Sequence, residues 1–117
     1  MQHNNITDPR INGVINDVLQ ATRDTLGDKL EKLILFGSYA RGDYDSESDI
    51  DFCIIADVPR EEATKWRRDI NKRIPGIDLE YDLLVSLHVI NSGLFNQYLP
   101  VLPFYQNVLQ EGVELYG

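Results

Sequence analysis

What the chain has little of narrows the reading first. Its 117 residues hold one cysteine, one tryptophan and one methionine. A lone thiol, Cys53, forms no intrachain disulfide. Its place in the apolar run Phe52-Cys53-Ile54-Ile55 reads as a small buried side chain rather than a nucleophile. No apolar run approaches the roughly 18–20 residues that a membrane-spanning helix needs. The first residues, MQHNNITDPR, lack the charged-then-apolar layout of a secretory signal. A cytoplasmic protein with no membrane association is the expectation. Basic charge is scarce as well: 11 Lys and Arg stand against 19 Asp and Glu, a net charge of −8. That argues against a dedicated duplex nucleic-acid binder, which carries a basic surface, and suits a protein that binds metal ions or a basic partner. Repeats, low-complexity tracts and linkers are missing too. The length carries one core, so residues 1–117 read as a single domain.

What is present is an alternation of helical and strand patterns. Asp8-Pro9 marks a helix start, with Asp8 or Thr7 as cap and Pro9 in the first turn. Ile11, Val14, Ile15, Val18, Leu19 and Leu26 follow at helical spacing, up to Gly27. Leu33-Ile34-Leu35-Phe36, closed by Gly37, is a short buried strand, and Asp51 to Ala56 is a second, stopped by Pro59. Residues 60–73 are a helix with a narrow apolar stripe of Ala63, Trp66 and Ile70. They are also the one basic stretch, with six basic and three acidic side chains. The segment Ile77 to Val85 alternates as a third strand. Ser86 is placed to cap a helix through about Tyr98, and a last helix near Phe104–Gln110 precedes an apolar end. The order predicts an α/β (α+β) domain: a small mixed β-sheet flanked by helices.

Residues 37–51, GSYARGDYDSESDID, carry the chemistry. Asp43, Asp45, Glu47, Asp49 and Asp51 crowd a short spacer beside the apolar run that follows. If Asp49 and Asp51 open the second strand, period 2 puts both carboxylates on one face, about 6–7 Å apart, close enough to share a divalent cation. A link of about a dozen residues favours antiparallel pairing of the first two strands, so the Gly37-Ser38 turn meets the aspartates at one sheet edge. The helix between the second and third strands suits a parallel crossover. Parallel register would then set Asp82 beside Asp51, while Asp78 and Glu80 share its parity and stay open as alternatives. Carboxylates so close repel unless cations compensate, and hard cations such as Mg²⁺ prefer oxygen ligands. Backbone N–H groups at the Gly37-Ser38 turn form an anion site that Arg41 could reach. His3, in a polar tail, and His88, among apolar residues, are not read as catalysts.

Gly37-Ser38, ten residues, then Asp49-Ile50-Asp51 resembles the signature of the polymerase β-like nucleotidyltransferase superfamily. GSYARG, SDIDF, YDLLV and the ending EGVELYG resemble its minimal nucleotidyltransferases, which are antitoxins of HEPN/MNT toxin–antitoxin pairs. The resemblance implies that fold for nearly the whole chain. It implies that Asp49, Asp51 and Asp82 hold two Mg²⁺ ions, that Asp82 helps deprotonate the acceptor, and that Gly37 and Ser38, with Arg41 nearby, bind the phosphates of ATP. The implied reaction is transfer of AMP from ATP to a hydroxyl, a tyrosine of a cognate HEPN toxin, in a homo- or hetero-oligomer. The alternatives are neutralisation of the partner by binding alone, or nucleotidylation of a small molecule such as an aminoglycoside.

Overall fold

The computed structural model describes residues 6–45, 47–74 and 83–117. Helix α1 (Pro9–Leu26) starts where the sequence places it. The Asp8 carboxylate accepts the Arg10 amide at 2.9 Å, and Pro9 fills a position that has no intrahelical bond to lose. Its buried stripe of Ile11, Val14, Ile15 and Val18 lies against the sheet. Strand β1 (Leu30–Phe36) runs into the single turn of α2 (Ser38–Arg41), and the acidic spacer returns the chain as β2 (Ile50–Ala56). The two strands pair antiparallel, with Phe36 opposite Asp51. Helix α3 (Ala63–Lys72), entered through a 3₁₀ turn at Arg60–Glu62, provides the crossover to β3 (Val85–Asn91), which is parallel to β2. Helices α4 (Ser92–Tyr98) and α5 (Pro103–Glu111) lead to β4 (Val113–Tyr116), antiparallel to β1.

The sheet order is β3-β2-β1-β4, so the sheet is mixed, as expected. Strand alternation divides the core into two layers. Leu33, Leu35, Phe52 and Ile54 face α1 and α3, where Ile70 is fully buried and Trp66 packs at the margin. Ile34, Cys53 and Ile55 face α4 and α5 and close on Phe95 and Val108. Burial pushes the Cys53 thiol up to about 12, so it stays protonated and inert, as the sequence reading holds.

The third strand needs correcting. Residues 75–82, most of the expected strand Ile77 to Val85, lie outside the described residues, and the described strand is Val85–Asn91. Ser86 therefore caps no helix. Asn91 does: its side-chain oxygen accepts the Leu94 amide at 2.9 Å, and its amide nitrogen donates to the Val58 carbonyl at 2.6 Å. Val85-Ser86-Leu87-His88-Val89-Ile90 continues the period-2 alternation past the serine, and pairing with β2 outweighs the local capping signal. The apolar C-terminal end is a strand, held by β1.

Candidate active site

The site lies where β1 ends and β2 begins, on the α4/α5 face of the sheet. Gly37 makes the turn out of β1 with φ 76°, a conformation that suits glycine. It is required a second time by space. A Cβ at this position would sit 2.6 Å from Oδ2 of Asp51, closer than real Cβ atoms approach. The glycine and the second aspartate of the motif are thus packed on each other, although fourteen residues of sequence separate them. The Gly37 carbonyl accepts the amides of Ala40 and Arg41, both at 3.1 Å, which closes α2. Ser38 opens that turn and is half-buried.

Asp51 lies between Phe36 on β1 and Ser86 on β3. Burial lifts its carboxyl above the usual aspartate range. His88 draws it back down, the Asp49 charge pushes it up, and Arg41 lowers it. Asp49, one residue before the strand, is exposed and shares the parity of Asp51. The Asp49 charge raises the cost of ionising Asp51, and a cation held between the two would relieve it. The oxygen donors of Asp49, Asp51 and Ser38 suit a hard divalent ion. Among the described residues no group of three or more His, Cys, Asp or Glu encloses an ion by itself. That still fits Mg²⁺, which is usually bound by one or two carboxylates together with substrate phosphates and water rather than by an all-protein cage.

The structure packs Gly37 against Asp51 and sets the Asp49 charge near enough to act on it, with Ser38 next in the turn. Arg41 is near but engaged elsewhere. Its Nε meets Asp43 at 3.2 Å and its Nη1 meets Glu111 at 3.7 Å, so its route to an anion at the turn competes with two carboxylates. Asp82, Asp78 and Glu80 lie outside the described residues. The register on which Asp82 was expected beside Asp51 is not the one formed, because Ser86 occupies that position.

His88 is the residue that sequence reasoning passed over. Its Nε2 is 3.8 Å from Oδ1 of Asp51 and 3.3 Å from the Ser86 hydroxyl, and its ring stands edge-on to Phe36 at 5.3 Å. Ring contacts continue from Phe36 to Phe104 at the start of α5. The signal was present in the alternation of β3: Ser86, His88 and Ile90 share one face, opposite Leu87 and Val89. Reading a helix from Ser86 concealed it.

This geometry has relatives. The family described as nucleotidyltransferase domain matches residues 15–113. The protein named "Putative protein adenylyltransferase MJ0604" from Methanocaldococcus jannaschii is 36% identical over 102 residues, covering 87% of this chain and 94% of that protein. Among solved structures, a mutant of the toxin-antitoxin MntA-HpeT is similar with TM-score 0.53 and 21% identity, over 87% of this chain and 72% of that one. A toxin-antitoxin crystal structure with AMP-PNP gives TM-score 0.54 and 23% identity over the same shares. At such identities the two structures speak for the fold. The family match spans most of the chain and contains the Gly37-Ser38 turn and both aspartates, and on it the chain is an enzyme of the nucleotidyltransferase domain family.

Proposed function

We propose that this protein transfers AMP from ATP to a hydroxyl, a tyrosine of a cognate HEPN-type toxin, and acts as the antitoxin of that pair. The observation that carries the chemistry is the contact between Gly37 and Asp51, which holds the turn assigned here to the phosphates directly against one of the two aspartates. The protein acceptor is supported by the adenylyltransferase name of the M. jannaschii relative, and the toxin by the fold shared with toxin-antitoxin structures.

In this reading the amides and hydroxyl at Ser38 hold the β,γ-phosphates, and Asp49 and Asp51 hold Mg²⁺, with Asp82 as the third carboxylate expected from the sequence. The bound ion would supply charge neutralisation for the departing phosphate and acidity for the attacking hydroxyl. The acceptor oxygen bonds to the α-phosphorus, and the bond from that phosphorus to the bridging oxygen breaks. Pyrophosphate leaves, and the hydroxyl proton passes to a carboxylate, the role assigned to Asp82. Gly37 contributes by keeping the phosphates and the carboxylates within one small volume, so that little reorganisation is left for the reaction itself.

The test is label transfer in the presence of Mg²⁺ to proteins of the host lysate and then to the purified partner. ATP labelled at the α or γ position is compared, with Asp49→Asn/Asp51→Asn as control. One band labelled only from the α position, and absent with the double variant, is the expected result. Wild-type transfer by the double variant would place the site elsewhere. A second reading, neutralisation by binding alone, draws on one observation: the strand position beside Asp51 carries Ser86 and no carboxylate. Full inhibition of the partner with no adduct on it would select that reading.

A further inference from the structure

Among the described residues the outer edge of β3 has no partner strand. An open groove of about 550 Å³ runs beside it. The lining follows the edge rather than either face. Leu87 and Val89 come from one side of the sheet and His88 and Ile90 from the other, with α3 forming one wall and the start of α5 the second. A free edge presents unpaired backbone N–H and C=O groups, which natural proteins shorten, charge or cover unless another chain is to pair there. Here the wall at the start of α5 is apolar and exposed instead: Leu102 is 40% and Phe104 47% accessible.

We propose that this groove docks the polypeptide that accepts the nucleotidyl group, taken as an extended segment that adds a strand to β3. The proposal rests on the reading of the protein as a protein adenylyltransferase and names how its acceptor is held. Three features support it. First, the groove adjoins Asp51 through one side chain: His88 lines it and stands 3.8 Å from that carboxylate. A strand lying along β3 therefore passes one of its side chains beside the reacting position. Second, strand addition supplies partners for the backbone of β3, while alternate side chains of the incoming segment find Leu102 and Phe104. Third, charge selects the segment. Arg67, in the α3 wall, is exposed and forms no ion pair among the described residues, and it belongs to the one basic stretch of an otherwise acidic chain. An extended segment with acidic residues flanking its hydroxyl-bearing one fits that wall.

Fluorescent peptides of alternating Val and Glu around a central Tyr provide the probe, with binding followed by anisotropy in the absence of nucleotide. N-methylation of one set of alternate backbone amides is expected to weaken binding at least about tenfold, by removing several interstrand hydrogen bonds, while methylation of the other set is tolerated. Replacing Glu by Lys in the peptide is expected to weaken binding about threefold, the size of an exposed ion pair, and Arg67→Glu reverses the preference. Hydrogen exchange at residues 85–91 slows when the peptide is bound. Equal tolerance of both methylation patterns, protection elsewhere on the surface, or no binding overturns the groove. AMP transfer from α-labelled ATP to the peptide tyrosine is read separately. A peptide that protects β3 yet takes no label upholds the docking site and counts against the adenylyltransferase reading. Label without protection of β3 leaves that reading standing and overturns the groove.

Discussion

Gly37 turns the chain out of β1 directly against Asp51. Its φ of 76° with ψ of −156° is a backbone region that side chains rarely enter, and the added Cβ would meet Oδ2 of Asp51. Gly37→Ala is expected to cost about 1–3 kcal/mol of folding stability and to abolish nucleotidyl transfer in the fraction that folds. Urea titration beside an activity assay checks both. Unchanged stability would show that Asp51 simply swings away. Asp51 itself is held at a cost. Burial, with the Asp49 charge, raises its carboxyl above the usual range, so the folded protein binds that proton more tightly than the unfolded chain does. Below the unfolded pKa of about 3.9 the effect on stability is nil. As pH rises through the folded pKa, ionisation lowers stability, and at neutral pH the full penalty applies. Asp51→Asn is therefore expected to melt at or above the wild-type temperature in EDTA at pH 7, with the difference fading towards pH 4. A clear loss of stability in EDTA would mean that the contacts to His88 outweigh the burial. The sequence made the glycine, serine and both aspartates legible because their spacing is fixed by one turn and one strand start. His88 was illegible because its approach depends on a register set by a strand more than thirty residues away.

Local signals and pairing compete most visibly at the element that carries His88. Ser86 offers a helix cap and the residues after it include helix formers, yet β3 continues to Asn91, and seven consecutive residues pair with β2 from Ile50–Val85 to Ala56–Asn91. A short apolar run does not reveal whether it is strand or helix until its neighbours are known. By contrast α1, with its cap, proline and long apolar stripe, was readable nearly to the residue, and the antiparallel and parallel pairings followed from the lengths of the connections. The true switch from strand to helix is Asn91, which caps α4 and ties the end of β3 to the Val58 carbonyl. Asn91→Ala removes the cap and leaves a partly buried carbonyl without its donor, an expected cost of about 1–3 kcal/mol. Asn91→Asp keeps the cap oxygen and loses the donor, so it should fall between the two. Chemical denaturation of the three proteins provides the measurement. Equal stability of the alanine and aspartate variants would assign the whole effect to the bond with Val58.

Across the whole molecule the sheet is packed unequally on its two sides. Among the described residues, nineteen buried side chains form the layer between the sheet and α1 and α3, whereas five form the layer under α4 and α5. Buried apolar area is the main stabilising term, so the α4/α5 layer is the one expected to open first. That face also carries Asp51, His88, Phe36 and Phe104, so the proposed site lies on the side expected to open first. Native-state hydrogen exchange should accordingly show amides of α5 (Pro103–Glu111) opening at lower free energy than those of α1 (Pro9–Leu26). Phe95, 2% exposed and in ring contact with Tyr105, joins α4 to α5 beneath the sheet. Phe95→Ala is expected to cost about 3–5 kcal/mol, and in exchange experiments to lower the protection of α4 and α5 well before that of α1. Identical opening energies in both layers, or a Phe95→Ala variant that loses protection uniformly, would show that the domain opens as one cooperative unit. The thin layer would then be no more mobile than the thick one, and access to the site could not be attributed to it.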